Sequence, residues 1–209
     1  MDEVKEQTAQ QEESTALTAP VGQVPTVWND SKMMAQMGKM AKMLAASDLV
    51  PDTYKGKPAN CLIALDLANR LGFSPMLVMK HLYIVKGKPA WSGKFCISII
   101  NSCGLFSPLE FVTTEKGCYA QATRLSTGRI CVGPEVTWDM VKAEGWYDKA
   151  GSKWKTMPEV MFKYRAASFF ASTYCPERLE GIPTAEEMQD VNGYEEVPAP
   201  EKVVITLED

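Results

Sequence analysis

Apolar residues recur at intervals of three and four positions along much of the chain, which is the spacing of an amphipathic helix. The first such segment covers about residues 32–46, where methionines and a leucine share one face and Ser31 is placed to cap the helix. A second helix is predicted over 60–71, with Asn60 as its cap and Gly72 as its end. Further helices are predicted from Pro75, over 93–103, 137–144 and 156–173, and from Thr184.

Two of the later helices have a threonine followed three positions on by a glutamate. Thr156 and Glu159 have the spacing of a capping box, in which each side chain bonds a backbone N–H of the other residue. Thr184 and Glu187 begin a last, short acidic helix with the same spacing. These pairs predict where the two helices start.

In two places the apolar pattern changes to that of β-strands. Residues 82–85 and 89–92 flank Lys86-Gly87-Lys88 and predict a β-hairpin with a basic tip. Residues 108–132 predict a meander of three strands with a glycine in each turn. Helices mixed with short antiparallel strands predict an α+β fold, in which a small antiparallel β-sheet is flanked by helices.

The two ends of the chain differ in composition from its middle. Residues 1–27 are polar and rich in Gln, Thr and Glu, and residues 192–209 are acidic and contain two prolines. Such segments bury too little apolar surface to offset the entropy of ordering them, so we predict a disordered acidic tail at each end. Residues 28–191 then form one folded core.

Counting charge by segment changes the picture given by the whole chain. The overall net charge of −4 argues against nucleic acid as a partner. Residues 1–27 carry a net charge of −4 and residues 186–209 a net charge of −7, whereas residues 28–185 hold 20 basic and 13 acidic residues, a net of +7. Residues 55–94 hold seven basic residues against Asp66 alone. A basic body between two acidic ends favours an anionic polymer as partner.

Residue types that carry out catalysis or hold metals are sparse. His81 is the one histidine, at the end of an apolar helix where packing is commoner than ligation, and the six cysteines are scattered without a C-x-x-C pair. That distribution predicts buried thiols in a reducing cytoplasm rather than disulfides or a zinc site. The sequence has no Walker-type phosphate loop and no apolar run long enough to span a membrane. We therefore expect a non-enzymatic protein without a metal or other cofactor.

The positive signal is a set of cations interleaved with aromatic residues. Lysine and arginine neutralise phosphates, and aromatic rings offer unpaired bases a stacking surface. The candidate DNA-binding residues are Lys55, Lys80, Lys86, Lys88, Lys94, Lys163, Arg165, Trp91 and Trp154.

Each candidate also has a structural interpretation. A lysine-rich face is often simply solvated, and lysines at a hairpin tip protect an exposed edge. Trp91 and Trp154 are slightly more typical of a core than of a stacking platform. Arg165 lies two turns into the long helix, too far from its end to act as a cap, so it is free of a C-terminal role and can point into a groove.

Three segments, at residues 62–75, 82–101 and 154–166, are similar in order and spacing to motifs of one known family. The first resembles the A-N-x-x-G-L-x-P segment of the phage single-strand annealing proteins of the RecT/Red-beta superfamily. The second resembles that family's hairpin and W-S-x-I-I-N helix, and the third its late W-x-x-x-P-x-x-M-x-x-x-[KR]-A helix. The resemblance covers about residues 48–191.

This resemblance implies an ATP-independent protein that binds single-stranded DNA and anneals complementary strands in phage recombination and DNA repair. It also implies a homo-oligomeric ring or helical filament, a phage exonuclease as partner, the cytoplasm of the bacterial host as location, and a fold similar to the eukaryotic Rad52 annealing core. The positions that match the family's basic groove are Lys55, Lys80, Lys86, Lys88 and Arg165.

The chain departs from the Red-beta pattern in two respects. Glu159-Val160 stands where that pattern is basic, and no separate C-terminal partner-binding domain is expected. Three other functions stay open: a protein that coats single strands without annealing them, a metal-dependent nuclease, and an interaction protein whose acidic tails bind a basic partner.

Overall fold

The computed structural model describes Trp28, residues 30–85 and residues 87–190. The helices in these residues are α1 (Ser31–Ala45), α2 (Pro58–Leu71), α3 (Pro75–His81), α4 (Gly93–Ser102), α5 (Trp138–Ala143), α6 (Pro158–Tyr174) and α7 (Ala185–Asp190). The strands are β1 (Leu82–Val85), β2 (Lys88–Trp91), β3 (Glu110–Thr113), β4 (Gly117–Arg124), β5 (Arg129–Val132) and β6 (Val136–Thr137). Short 3-10 helices, Lys153–Lys155 and Pro176–Leu179, precede and follow α6. This arrangement confirms the predicted α+β fold.

The strands form two antiparallel sheets. β1 and β2 make the predicted hairpin, with Leu82 opposite Trp91 and Val85 opposite Lys88. In the second sheet β4 lies between β3 and β5, which confirms the predicted meander, and β6 also pairs with β4.

The short strand β6 is not predicted by the sequence. It pairs with Gly117 and Cys118 at the start of β4. A Cβ added at Gly117 would lie 1.8 Å from the carbonyl oxygen of Val136, so this pairing requires glycine. Two residues are too few to show the alternation of a strand, and the close approach depends on a partner that is distant in sequence.

The hydrophobic core is built around α6. This helix packs against α4 and β4, while α1 packs against α2. Trp91, Phe95 and Phe170 are among the largest fully buried side chains. Because α6 is central, its successive faces meet different parts of the protein.

The predicted N-caps of α1 and α2 are wrong. Asp30, not Ser31, caps α1, because its carboxylate accepts hydrogen bonds from the backbone N–H groups of Lys32 and Met33 at 2.8 and 3.1 Å. The second helix begins at Pro58, two residues before Asn60, because proline suits the first helical turn. The Asn60 side chain instead donates a hydrogen bond to the carbonyl oxygen of residue 53. The predicted end of that helix is confirmed, since Gly72 has the left-handed conformation of a C-cap.

The two Thr-x-x-Glu pairs have different outcomes. The pair at 156–159 forms no capping box, because the 3-10 helix before α6 occupies this segment and α6 starts at Pro158 without a side-chain cap. The pair of Thr184 and Glu187 does form one. Glu187 Oε2 accepts from the Thr184 N–H at 2.9 Å, and Thr184 Oγ1 accepts from the Glu187 N–H at 3.3 Å.

All six cysteines lie in the described part of the chain and are free thiols, five of them buried and Cys103 half-buried. Among the described residues, no group of three His, Cys, Asp or Glu side chains is placed to hold a metal ion. No single helix there is long and apolar enough to cross a membrane, and α2 and α3, which together would be, are bent by 113° at their break. The predicted tails at 1–27 and 192–209 lie outside the described residues, as does Lys86.

Candidate nucleic-acid interface

Arg165 is held inside the protein against aromatic rings. It lies in the middle of α6 and is only 2% exposed. Its guanidinium carbon lies 3.7 Å from the centroid of the Trp146 ring and 5.6 Å from that of Phe169. A guanidinium is weakly hydrated and planar, so it stacks well on an aromatic face while keeping its charge. The side chain therefore presents a positive charge in a fixed position.

The Trp146 ring belongs to a larger aromatic cluster. It stacks on Trp154, with ring centroids 5.7 Å apart and an angle of 24° between the planes. Trp154 in turn meets Trp138 and Phe162 edge to face. This cluster fixes the segment between α5 and α6 and so determines where the face of Trp146 lies.

A pocket of about 230 Å³ opens beside the Arg165 guanidinium. We call it the Arg165 pocket. Its lining includes Trp146, Trp154 and Tyr164 on the apolar side and Glu186 on α7. Lys149 and Lys153, both exposed, also line it. Three cations around a partly aromatic pocket suit an anion that carries an apolar portion, such as a phosphodiester with its sugar.

Glu186 is the one acidic residue in the lining of this pocket. Burial raises the pKa of its carboxyl above the ordinary value of 4.5, while hydrogen bonds from the backbone N–H groups of Glu186 and Gly93 and the charge of Arg165 lower it. Gly93 is the first residue of α4, and a Cβ built there would lie 3.2 Å from Glu186 Oε1. The carboxylate thus lies against the positive end of α4.

A second basic region, which we call the hairpin surface, consists of Lys80, Lys88 and Lys94 with the outer side of β1. All three lysines are exposed. Tyr83 on β1 is 46% exposed, and its neighbour Ile84 is also exposed. The hairpin surface therefore offers exposed positive charges next to an open aromatic ring.

His81, the last residue of α3, lies close to the start of α4. The pKa of its imidazole is lowered from the ordinary value, first by burial and then by the charges of Lys94 and Lys80. The ring stacks on Phe95, and its Nδ1 lies 2.9 Å from the hydroxyl of Ser92, the residue that caps α4. The end of α3 and the start of α4 are therefore adjacent.

The hairpin surface and the Arg165 pocket adjoin one another. α7, which carries Glu186, packs against both β1 and β2. The backbone N–H of Trp91 donates to the carbonyl oxygen of residue 183 at 2.8 Å, just before α7. Lys94 follows Gly93, which contacts Glu186. The hairpin, α7 and the start of α4 are therefore neighbours in the fold.

Lys55 lies in the turn before α2 and is exposed, with Nζ 3.2 Å from Asp52 Oδ1. The preceding residue, Tyr54, is buried and donates a hydrogen bond from its hydroxyl to the carbonyl oxygen of Leu82 at 3.2 Å. Burial, which is the larger cause, raises the Tyr54 pKa to about 12, so the hydroxyl stays protonated and keeps this bond. The turn that carries Lys55 is therefore attached to the start of the hairpin.

Lys163 is separated from Arg165 in space although it lies only two positions before it in the sequence. Two residues correspond to about 200° around a helix, so the side chains leave α6 on opposite sides. Lys163 lines a different pocket, together with Gly117, Cys118 and Trp138. Lys163 and Arg165 therefore do not form one surface.

The two tryptophans singled out by the sequence are both buried. Trp91 is fully buried, and its indole N–H donates to the carbonyl oxygen of Leu179 at 3.0 Å. Trp154 is 6% exposed, and its ring stacks on that of Trp146. Trp91 occupies the core, which was the interpretation the sequence slightly favoured, and Trp154 belongs to the pocket wall.

Sequence reasoning missed four residues of the Arg165 pocket. They are Trp146, Lys149, Lys153 and Glu186. A signal for three of them is present in the sequence, because Trp146-Tyr147 is followed by three lysines within residues 149–155. No local pattern marks Glu186, whose neighbours in the fold come from α4 and α6.

A protein-family model matches part of the chain. The model of the RecT family matches residues 113–200 and confirms the resemblance to the RecT/Red-beta annealing proteins. The matched segment contains Arg165 and the other pocket residues, whereas the similar segments at 62–75 and 82–101 lie before it. No curated protein matches the sequence. The match supports a recombination or single-strand annealing protein in general, a class that is generally non-catalytic.

Proposed function

We propose that this protein binds single-stranded DNA along the hairpin surface and the Arg165 pocket and promotes annealing of complementary strands without ATP. The observation that supports this most strongly is the Arg165 guanidinium, fixed on Trp146 in a pocket with Lys149 and Lys153. A buried cation beside an aromatic wall and an exposed basic surface suits a flexible polyanion better than a small neutral ligand.

The annealing step follows from how such a surface holds a strand. Lysines that neutralise the backbone leave the base edges free and lower the repulsion between two strands. Once bases pair, duplex stacking supplies about 1.4 kcal/mol for each base-pair step, so no hydrolysis is needed. The exposed ring of Tyr83 offers one base a stacking surface without reading its identity.

We assign phosphate contacts to Lys80, Lys88 and Lys94 on the hairpin surface and to Arg165 in its pocket. Lys55 and Lys86 extend the same surface in this proposal. Lys163 faces another pocket and lies outside the proposed interface.

Assembly into a homo-oligomeric ring or filament would repeat this surface along one strand. Weak contacts in each subunit then add up, because binding by one subunit raises the local concentration of DNA at the next. A phage exonuclease that exposes single strands is the expected partner, and the bacterial cytoplasm is the expected location.

The test mixes two complementary labelled oligonucleotides with the purified protein in the absence of ATP. We expect pairing to be several times faster than without protein. Binding of each strand without faster pairing would indicate a protein that only coats single strands. DNA cleavage in Mg²⁺ that a chelator abolishes would indicate a nuclease instead.

A further inference from the structure

The Glu186 carboxylate lies in the lining of the Arg165 pocket, where burial disfavours its charge and two neighbouring groups favour it. The Gly93 N–H at the start of α4 donates to it, and the charge of Arg165 acts on it. α4 runs for ten residues, long enough for its N-terminal end to attract negative charge. The carboxylate therefore has the surroundings that proteins commonly provide for a phosphate.

The Glu186 carboxylate is only partly hydrogen-bonded in the pocket. Its Oε2 atom is buried and has no hydrogen-bond partner among the described residues. A buried carboxylate oxygen without a donor is costly, because the water that it loses is not replaced. Glu186 is thus held in the pocket by one oxygen while the other is poorly solvated.

The next residue, Glu187, contrasts with Glu186. Its Oε1 accepts from the hydroxyls of Ser168 and Ser172, both at 3.1 Å, and its Oε2 accepts from the Thr184 N–H at 2.9 Å. Glu187 therefore attaches the start of α7 to α6. Because this attachment does not involve Glu186, the Glu186 side chain can leave the pocket while α7 stays anchored.

We propose that the Glu186 carboxylate is an internal substitute for a DNA phosphate, and that a backbone phosphate of single-stranded DNA replaces it between Arg165 and the start of α4. This inference rests on the proposed function. A phosphodiester offers more acceptor oxygens than the single well-placed carboxylate oxygen, so it satisfies the N–H donors that converge there. The pocket of about 230 Å³ also leaves room for the adjoining sugar.

The position of the pocket supports a strand as the ligand rather than a free ion. Lys94 follows directly on Gly93, so a chain that places one phosphate at the start of α4 has the hairpin surface beside it. Neighbouring phosphates then contact Lys94 and Lys80. Glu186 keeps the Arg165 site filled until such a strand arrives.

The test compares Glu186→Gln with Asp148→Asn in binding of a labelled oligothymidylate. Asp148 is an exposed acid next to Lys149, so its change removes one negative charge near the pocket without touching the pocket lining. We expect Glu186→Gln to bind the oligonucleotide about three- to tenfold more tightly than the wild type does. The reason is that no carboxylate charge then competes with the DNA phosphate for the Arg165 pocket. Asp148→Asn should show a smaller gain that disappears at high salt, as a long-range effect does.

A double-mutant cycle with Arg165→Gln identifies the site of the effect. If Glu186 competes at Arg165, the gain from Glu186→Gln disappears in the Arg165→Gln background. The inference is overturned if the gain persists there, or if Glu186→Gln and Asp148→Asn behave alike at all salt concentrations. If neither the wild type nor Glu186→Gln binds the oligonucleotide, the proposed function itself fails.

Thermal unfolding of every variant accompanies these measurements. Glutamine keeps the length of the glutamate side chain and an oxygen acceptor for the Gly93 N–H, so the fold should be retained. Should Glu186→Gln unfold, Glu186→Ala tests the same point, since it also removes the competing carboxylate. An affinity of folded Glu186→Ala equal to that of the wild type would contradict the inference.

Discussion

The Arg165 pocket and the hairpin surface hold positive charge in opposite ways. Arg165 is 2% exposed and stacked on Trp146, so its guanidinium is fixed and largely desolvated. Lys80 and Lys94 are exposed and long, so their charges are mobile and hydrated. A fixed charge gives a short-range contact with defined geometry, whereas mobile charges attract a polyanion over a distance set by salt.

Because Arg165 is buried and the lysines are exposed, substitutions in the two regions should affect DNA binding and protein stability in different proportions. Removing a buried cation disturbs the rings and carboxylate around it, so a change at Arg165 affects the fold as well as the ligand. Removing an exposed lysine affects little besides the charge. The two regions therefore predict different combinations of effects when residues are changed.

The largest expected effect comes from Arg165→Gln compared with Lys94→Gln. Loss of a charge-assisted contact costs about 1.5–3 kcal/mol, so we expect Arg165→Gln to weaken oligonucleotide binding about ten- to hundredfold and to lower the unfolding temperature. Lys94→Gln should weaken binding only about two- to threefold at moderate salt and leave the unfolding temperature unchanged. Fluorescence titration and calorimetry measure the two quantities.

Salt dependence and one conservative variant sharpen this result. Lys94→Gln should make the slope of log K against log salt less negative by about 0.7, the contribution of one phosphate of a single strand. Lys116→Gln, in the exposed turn between β3 and β4, is the control and should leave the slope unchanged. Arg165→Lys keeps the charge but loses the planar stack. Full affinity in Arg165→Lys would show that the fixed geometry is unimportant.

The next prediction compares the effects of changing Tyr83 and Trp91, two aromatic residues of the hairpin, on DNA binding and stability. Tyr83→Ala should weaken oligonucleotide binding about fivefold or more, because stacking is worth about 1–3 kcal/mol for each base, and should leave stability unchanged. Trp91→Phe should lower the free energy of unfolding by about 1–3 kcal/mol, because it removes the bond to the Leu179 carbonyl and leaves a buried acceptor and a cavity. Affinity of the folded fraction should stay at the wild-type value. The opposite pattern would place Trp91, not Tyr83, at the DNA.

The smallest effect is a difference in pH dependence between the two regions. The pKa of Glu186 is raised in the fold, so its contribution to stability is full below pH 4.5 and is lost as pH rises through the folded pKa. The pKa of His81 is lowered, so its contribution is full above pH 6.5 and is lost as pH falls through the folded pKa. Urea unfolding at a series of pH values should therefore show two opposed slopes.

The Glu186→Gln variant measures how much of this pH dependence of stability comes from Glu186 in the Arg165 pocket. We expect the decline in stability above pH 4.5 to become shallower in Glu186→Gln, while the slope due to His81 remains. The variant should be at least as stable as the wild type at pH 7, since the buried charge is gone. An unchanged profile would show that Glu186 is well solvated in the fold.

Where the sequence succeeded, the deciding interactions are local. Gly72 ends α2 because glycine adopts the left-handed backbone that a C-cap requires, and Gly87, with a positive φ of 76°, lies between β1 and β2. Where the prediction of a helix start failed, a neighbouring residue was better suited to that position. Asp30 displaced Ser31 as the cap of α1, and Pro58 moved the start of α2 ahead of Asn60.

The sequence by itself determined the α+β order of elements, the basic body between acidic ends, and Arg165 as a candidate, because composition and short-range spacing carry that information. Only the tertiary structure decided which charges share a surface. It stacked Arg165 on Trp146, brought Glu186 to Gly93, and left Lys163 at another pocket. Those neighbours come from α4, α6, α7 and the loop after α5, and their contacts depend on how the helices pack around one core rather than on any pattern along the chain.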